Sequence, residues 1–85
     1  MNVTIEVSMY PLQDGYLDVI QNFIDRVKAN EKLEVIVNTL STQIFGPYDE
    51  VMETVQREIK KSYEKESQAI FVMKVLRGNL SPNNG

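Results

Sequence analysis

Apolar and polar residues alternate at the start of the chain, and this pattern predicts a β-strand with one apolar face. The apolar positions are Val3, Ile5, Val7 and Met9, and the polar positions between them are Thr4, Glu6, Ser8 and Tyr10. Pro11 is expected to end the strand, because proline has no N–H to donate to a neighbouring strand. Asp14-Gly15 is typical of a turn, and Asp14 is a candidate N-cap for the helix that follows.

The period of the pattern then changes from two residues to that of a helix. Between Tyr16 and about Ala29 the apolar residues recur every three or four positions. They are Tyr16, Leu17, Ile20, Phe23, Ile24 and Val27. Charged and amide residues occupy the opposite side, so this segment is expected to be an amphipathic helix that packs one face on a sheet.

The centre of the chain, Leu33 to Gly46, predicts two short strands. Leu33–Leu40 is rich in β-branched residues, and Thr42–Phe45 is a second run of the same kind. A tight bend near Leu40 and Ser41 is too short to contain a crossover helix. The two strands are therefore expected to pair antiparallel as a hairpin.

The second half of the chain repeats the order of helix and then strand. Gly46-Pro47 is expected to end the hairpin, with Pro47 in the first turn of a second helix. The apolar stripe of this helix is Val51, Met52, Val55, Ile59 and Tyr63. Ala69–Leu76 predicts a fourth strand, and the polar residues 78–85 predict a mobile C-terminal tail.

The predicted order is strand, helix, strand, strand, helix, strand. Two strand-helix-strand halves with right-handed crossovers give the ferredoxin-like α+β sandwich. In this fold a four-stranded antiparallel sheet has both helices on one face, and its spatial strand order is 4-1-3-2. We expect one domain, residues 1–77, followed by the tail.

The size of the chain favours self-association. A domain of 85 residues without cysteine buries about 60–65% of its extended-chain surface and has no disulfide to stabilise it. Large apolar residues also occur on both faces of the later strands, such as Ile70 and Val72 opposite Phe71 and Met73. An antiparallel sheet with apolar residues on its uncovered face usually contacts a partner. We expect a homodimer or homotetramer formed through sheet faces or edges.

Charge and composition exclude several classes of function. The net charge of −3 and the pI of about 4.8 argue against nucleic-acid binding, which requires concentrated positive charge. No apolar run approaches the roughly 20 residues that span a bilayer, so no membrane association is expected and the cytoplasm is the default location. Histidine and cysteine are absent, which excludes Ser–His and Cys–His catalysis and the usual zinc ligands. We expect no enzymatic activity, no metal and no cofactor.

Neutral hydrogen-bonding residues are concentrated on the strands and at their ends. They are Ser8, Tyr10, Asn38, Ser41, Thr42 and Gln43. Such groups orient a small polar ligand without the cost of burying a charge. They are also typical of a solvated or subunit-facing strand, and the residues alone favour that second interpretation. Glu6 is expected to form an ion pair with Lys74 on the fourth strand rather than to bind a ligand.

The segments Ser8-Met9-Tyr10-Pro11-Leu12 and Ser41-Thr42-Gln43-Ile44-Phe45-Gly46 resemble the YkoF-type thiamine-binding family of small ferredoxin-like proteins. The resemblance extends from Val3 to Leu76 in the order and length of the elements. It implies a non-enzymatic, homo-oligomeric protein that binds thiamine or its hydroxymethylpyrimidine part. With such a ligand, Tyr10 or Phe45 would stack on a ring and the other candidates would contact the pyrimidine edge. The candidate ligand-binding residues are Ser8, Tyr10, Asn38, Thr42, Gln43 and Phe45.

Other classes of protein share the predicted fold. An acylphosphatase requires a phosphate-binding loop and an arginine after the first strand, and Tyr10 to Asp14 provides neither. RNA-recognition domains require basic surroundings and aromatic residues on the central strands, and the acidic charge argues against them. A ligand-free interaction module that oligomerises through its sheet remains the alternative, and ligand binding distinguishes it from a thiamine-binding protein.

Overall fold

Strands and helices follow one another along the chain in the predicted order. The computed structural model describes residues 1–12, 14–65 and 68–83. The elements are β1 (Asn2–Pro11), α1 (Tyr16–Lys28), β2 (Glu34–Val37), β3 (Thr42–Pro47), α2 (Tyr48–Lys65) and β4 (Ala69–Arg77). Neighbouring strands are antiparallel, and the four-stranded sheet has the order β2-β3-β1-β4. The predicted ferredoxin-like fold and its strand order are therefore confirmed.

The hydrophobic core lies between one face of the sheet and the two helices. Val3, Ile5 and Val7 of β1 are at most 2% exposed and belong to one apolar cluster with residues of both helices. We call this helix-covered face of the sheet the inner face and the opposite one the outer face. Because side chains alternate along a strand, the polar residues of β1 lie on the outer face.

The two helices begin differently from the prediction. Gly15 is the N-cap of α1, with φ of 76° in the left-handed region, and no side chain of the described residues caps this helix. Asp14 lies one residue before the cap, so its predicted capping role is wrong. Strand pairing continues to Pro47, which lies opposite Asn2 at the end of β3. Since α2 begins at Tyr48, the prediction that Pro47 starts the helix is also wrong.

The hairpin between β2 and β3 has a short tip. The backbone N–H of Asn38 donates to the carbonyl oxygen of Ser41 at 2.8 Å, so Thr39 and Leu40 form the bend. β2 ends at Val37, three positions earlier than predicted, because the chain turns as soon as this hydrogen bond is made. The predicted antiparallel hairpin itself is confirmed.

Gly46 allows the chain before β2 to approach β3 closely. A Cβ atom at this position would lie 3.0 Å from Cδ2 of Leu33 and 3.3 Å from the carbonyl oxygen of Lys32. At these distances a side chain would fit only if its neighbours moved by a few tenths of an ångström. The glycine of the Ser41–Gly46 segment therefore has a packing role at the base of the hairpin.

The face of α2 that packs on the rest of the protein is more polar than predicted. Thr54, Glu58 and Ser62 are at most 3% exposed, whereas Tyr63 of the predicted apolar stripe is 50% exposed. The rings of Tyr63 and Phe71 form a T-shaped pair, with 5.7 Å between ring centroids. Glu58 is an acid on this buried face, because its carboxylate contacts Arg26 of α1.

A buried ion pair joins the two helices. Nε of Arg26 donates to Oε1 of Glu58 at 2.9 Å, and Nη2 of Arg26 donates to Oγ of Ser62 at 2.7 Å. Nε of Arg57 donates to the second carboxylate oxygen of Glu58 at 3.0 Å. Both carboxylate oxygens thus have a charged partner, which offsets the cost of burying the acid. Removing one partner of a buried pair typically costs about 3–5 kcal/mol.

The C-terminal tail crosses the outer face of the sheet. The hydroxyl of Thr4 donates to the carbonyl oxygen of Gly78 and accepts the N–H of Leu80. Nδ2 of Asn83 donates to Oε2 of Glu34 at 2.8 Å. Phe45 lies between Thr4 and Glu34 in the register and is 2% exposed, so the tail covers this ring. Mobility of the tail stays a prediction, and residues 84 and 85 lie outside the described residues.

The tail is predicted to couple to the titration of Glu34. The hydrogen bonds from Asn83 and then Ser81 lower the pKa of Glu34 below its ordinary value of 4.5. Because the folded pKa is the lower one, the stabilisation is present above about pH 4.5 and is lost as the pH falls through the folded pKa. Asn83→Ala should raise the pKa of Glu34 toward its ordinary value in an NMR titration, and Asn22→Ala should leave it unchanged. An unchanged pKa in Asn83→Ala would show that the tail does not hold Glu34 in solution.

Candidate functional site

A cleft of about 670 Å³ opens between the first half of α1 and the tip of the β2–β3 hairpin. We call it the hairpin cleft. Its floor is the inner face of β1 and β3 at Val7, Met9 and Thr42. Its volume falls in the range of about 300–1,000 Å³ that is typical of small-molecule sites.

The two sides of the hairpin cleft differ in chemistry. The α1 side provides an apolar wall that includes Ile20, Phe23 and Ile24. The hairpin side provides neutral polar residues, Asn38, Thr39, Ser41 and Thr42, together with Val37 and Leu40. An apolar wall opposite a few neutral polar groups is suited to a flat ring with hydrogen-bonding atoms on its edge.

Thr42 is the most informative residue of the hairpin cleft. It is the first residue of β3 and lies opposite Val7 on the inner face, and it is 6% exposed. Its side chain has no hydrogen-bond partner among the described residues. Since every solvent-inaccessible side-chain nitrogen or oxygen in the described ranges has a partner, this hydroxyl retains access to the cleft. A hydroxyl that opens into a cleft and has no protein partner is available to hydrogen-bond a polar ligand.

Asp18 is the charged residue that borders the hairpin cleft within the described part of the chain. It lies in the first turn of α1. The neighbouring polar residue on this helix is Gln21, whose amide nitrogen donates to Oδ1 of Asp25 at 2.8 Å. The cleft therefore combines neutral polar groups with a single negative charge.

Three of the sequence-predicted residues come together at the hairpin cleft. Thr42 and Asn38 belong to its hairpin side, and Tyr10 borders it where β1 ends. Tyr10 is 55% exposed. Its register opposite Ile70 assigns it to the outer face, so it reaches the cleft only at its border.

The structure places the other three candidates on the opposite side of the sheet. Ser8 and Gln43 lie on the outer face, and the hydroxyl of Ser8 donates to the carbonyl oxygen of Leu40 at 3.2 Å. Phe45 is on the same face beneath the tail. They lie on the opposite face from Thr42, because consecutive side chains of a strand point to opposite faces. The six candidates do not form one site.

A polar network on the outer face involves Glu6. Its carboxylate accepts a hydrogen bond from the hydroxyl of Ser41 at 3.1 Å and forms an ion pair with Nζ of Lys74 at 3.6 Å. The predicted pairing of Glu6 with Lys74 is confirmed. Ser41 and Ser8 thus hold the hairpin tip against β1.

The α1 side of the hairpin cleft was not predicted. Leu17, Asp18 and Gln21 line it, although Asp18 and Gln21 have the periodicity of a solvent-facing helix side. They become part of a site because the start of α1 lies over the hairpin, which local sequence periodicity does not encode. Two exposed leucines on either side of the cleft are the signal that marks it as a candidate site. They are Leu17 and Leu40, which are 66% and 85% accessible.

A second, apolar groove of about 220 Å³ lies between α2 and β4. Among the described residues that line this groove, Gln56 is the one polar residue, so the groove offers little to orient a polar ligand. Within the described ranges, no group of three or more acidic, histidine or cysteine side chains is placed to hold a metal ion. No helix in the same part of the chain has the length and apolarity needed to cross a membrane.

Comparison with known proteins gives the family. The model of the YKOF-related family matches residues 2–84. The chain belongs to the YKOF-related family. The resemblance stated from the two short segments is therefore confirmed, and a search of curated proteins finds no significant match.

Several solved structures share the fold of this chain. A Streptococcus pneumoniae protein is 21% identical with a TM-score of 0.83, over 94% of this chain and 90% of that one. A candidate thiamine biosynthesis/salvage protein of Thermotoga maritima is 15% identical with a TM-score of 0.81, over 98% and 92%. A domain of unknown function from Bacillus cereus is 20% identical with a TM-score of 0.73, over 95% and 80%. At these identities the likeness shows the shared fold.

Proposed function

We propose that this YKOF-related protein binds thiamine or its hydroxymethylpyrimidine part in the hairpin cleft, without catalysing a reaction. The observation that carries the proposal is the hydroxyl of Thr42, a residue that is 6% exposed. This hydroxyl has no hydrogen-bond partner in the described residues and opens into a cleft with an apolar wall. The family supports a thiamine-related role, and one structural relative is a candidate thiamine biosynthesis/salvage protein.

The chemistry of thiamine matches the two sides of the cleft. Its aminopyrimidine is a flat ring with donors and acceptors on one edge. In the proposed complex the ring packs on the apolar wall of α1 at Ile20 and Phe23, and its edge meets Thr42 and Asn38. Tyr10, at the cleft border, is placed to cover the outer end of the ligand. The thiazolium cation lies toward the mouth, where aromatic and acidic groups favour a positive charge.

Replacing Thr42 by valine tests this site with little change in side-chain volume. The variant removes the ligand's hydrogen bond, which is worth about 0.5–1.5 kcal/mol, so we expect thiamine to bind about two- to twelvefold more weakly. Isothermal titration calorimetry gives the dissociation constant, and the thermal midpoint without ligand checks that the fold is retained. The variant Gln43→Ala is the control on the outer face, away from the proposed site. Weaker binding in Gln43→Ala, together with unchanged binding in Thr42→Val, would move the site to the outer face.

We also propose that the protein is a homodimer or homotetramer in which a second copy covers the outer face at β4. Ile70, Val72 and Leu76 lie on this face and are 43–52% exposed. β4 is a nine-residue edge strand, and an open edge of this length tends to pair with another chain. The same open edge on a second copy is a matching partner in a two-fold arrangement, which favours a second copy over an unrelated protein.

Val72→Glu places a charge in the proposed interface and should yield a monomer in size-exclusion chromatography with light scattering. Asn22→Glu introduces the same charge on the exposed side of α1 and should leave the assembly unchanged. A monomeric wild-type protein at micromolar concentration would contradict the proposed oligomer. An oligomer that binds neither thiamine nor hydroxymethylpyrimidine would instead favour the ligand-free interaction module.

A further inference from the structure

The charge around the hairpin cleft affects which form of the ligand the cleft accepts. We propose that Asp18 makes the cleft selective for the cationic, unphosphorylated form of thiamine and against its phosphate esters. This inference rests on the proposed function, because it concerns the same cleft. It concerns a residue of α1 that belongs to neither of the segments that carry the family resemblance.

Asp18 is the charged group among the described residues that line the cleft. Its carboxylate forms no ion pair or side-chain hydrogen bond with another described residue. By contrast, Asp25 on the same helix accepts a hydrogen bond from Gln21, and Glu58 is enclosed by arginines. The charge of Asp18 is therefore available to a ligand.

Arg26 and Lys74 are committed to partners outside the cleft. Arg26, on the same helix, is bonded to Glu58 and Ser62 on the far side of α1. Lys74 pairs with Glu6 on the outer face. No lysine or arginine of the described residues lines the cleft, so a phosphate group would meet no positive side chain there.

The N-terminus of α1 is the one feature that favours an anion at this end of the cleft. A helix N-terminus carries about half a positive charge, which is less than the full negative charge of Asp18. The carbonyl oxygen of Gly15 already accepts the N–H groups of Asp18 and Val19, so two amide groups of the first turn are occupied. The charge of Asp18 therefore outweighs the helix N-terminus at this end of the cleft.

Thiamine and its phosphate esters differ strongly in charge. Thiamine carries one fixed positive charge on its thiazolium ring, whereas a phosphate monoester adds about −1.5 to −2 at pH 7. Asp18 attracts the first and repels the second. It follows that a hydrolytic reaction must remove phosphate before this protein takes up the ligand from a phosphorylated pool.

The experiment compares three ligands on three proteins by calorimetry at low salt. The ligands are thiamine, thiamine monophosphate and the neutral hydroxymethylpyrimidine. The proteins are wild type, Asp18→Asn and Glu53→Gln, which removes the same charge from an exposed position of α2. A partly exposed charge contributes up to about 1 kcal/mol. We therefore expect Asp18→Asn to bind thiamine about fivefold more weakly and the monophosphate about fivefold more tightly. The affinity for hydroxymethylpyrimidine should not change.

Each outcome decides for or against the selectivity of Asp18. A wild-type protein that binds the monophosphate as tightly as thiamine overturns the inference and leaves the proposed function standing. Equal weakening of thiamine and hydroxymethylpyrimidine in Asp18→Asn also overturns it, because the residue then acts through the shape of the cleft. If Asp18→Asn and Glu53→Gln changed the ligand affinities equally, the net charge of the protein would be the cause. That result would also overturn the inference. If the wild type binds none of the three ligands, the proposed function fails and this inference fails with it.

Discussion

The structure depends on the pairing of β1 with both of its neighbours. β1 lies in the interior of the sheet, with β3 on one side and β4 on the other. Its alternation of apolar and polar residues fixes which face of each neighbour is covered by helices. Thr42 lies opposite Val7 and faces the helices, whereas Gln43 lies opposite Glu6 and faces away. A register shift of one residue would exchange these two side chains and remove the hydroxyl from the hairpin cleft.

The alternation of side chains along the strands also separates the proposed ligand site from the proposed subunit interface. The hairpin cleft opens on the helix side of the sheet, while the exposed apolar residues Ile70, Val72 and Leu76 lie on the outer face. A second copy on the outer face would therefore leave the cleft accessible. The tail already covers Phe45 at one end of that face, so the surface left for a partner is centred on β4.

Local patterns in the sequence were sufficient for the elements and the fold. The period of two in β1 and the period of helices in α1 and α2 depend on neighbouring residues, and they predicted the strand order correctly. Burial of Glu58 and of Phe45 was not predictable in this way, because it results from Arg26 on another helix and from the tail at the far end of the chain. The α1 side of the cleft was missed for the same reason, since Asp18 joins the site only through tertiary packing.

The most direct test of the account is an NMR titration of isotope-labelled protein with thiamine. The binding site in the hairpin cleft predicts concentration-dependent shifts of the Thr42 and Ile20 methyl groups and of the Asn38 amide. It predicts no comparable shifts of the Ile70 and Val72 methyl groups on the outer face. Shifts confined to the outer face and the tail, with the cleft signals unmoved, would contradict the central claim that thiamine binds between α1 and the hairpin.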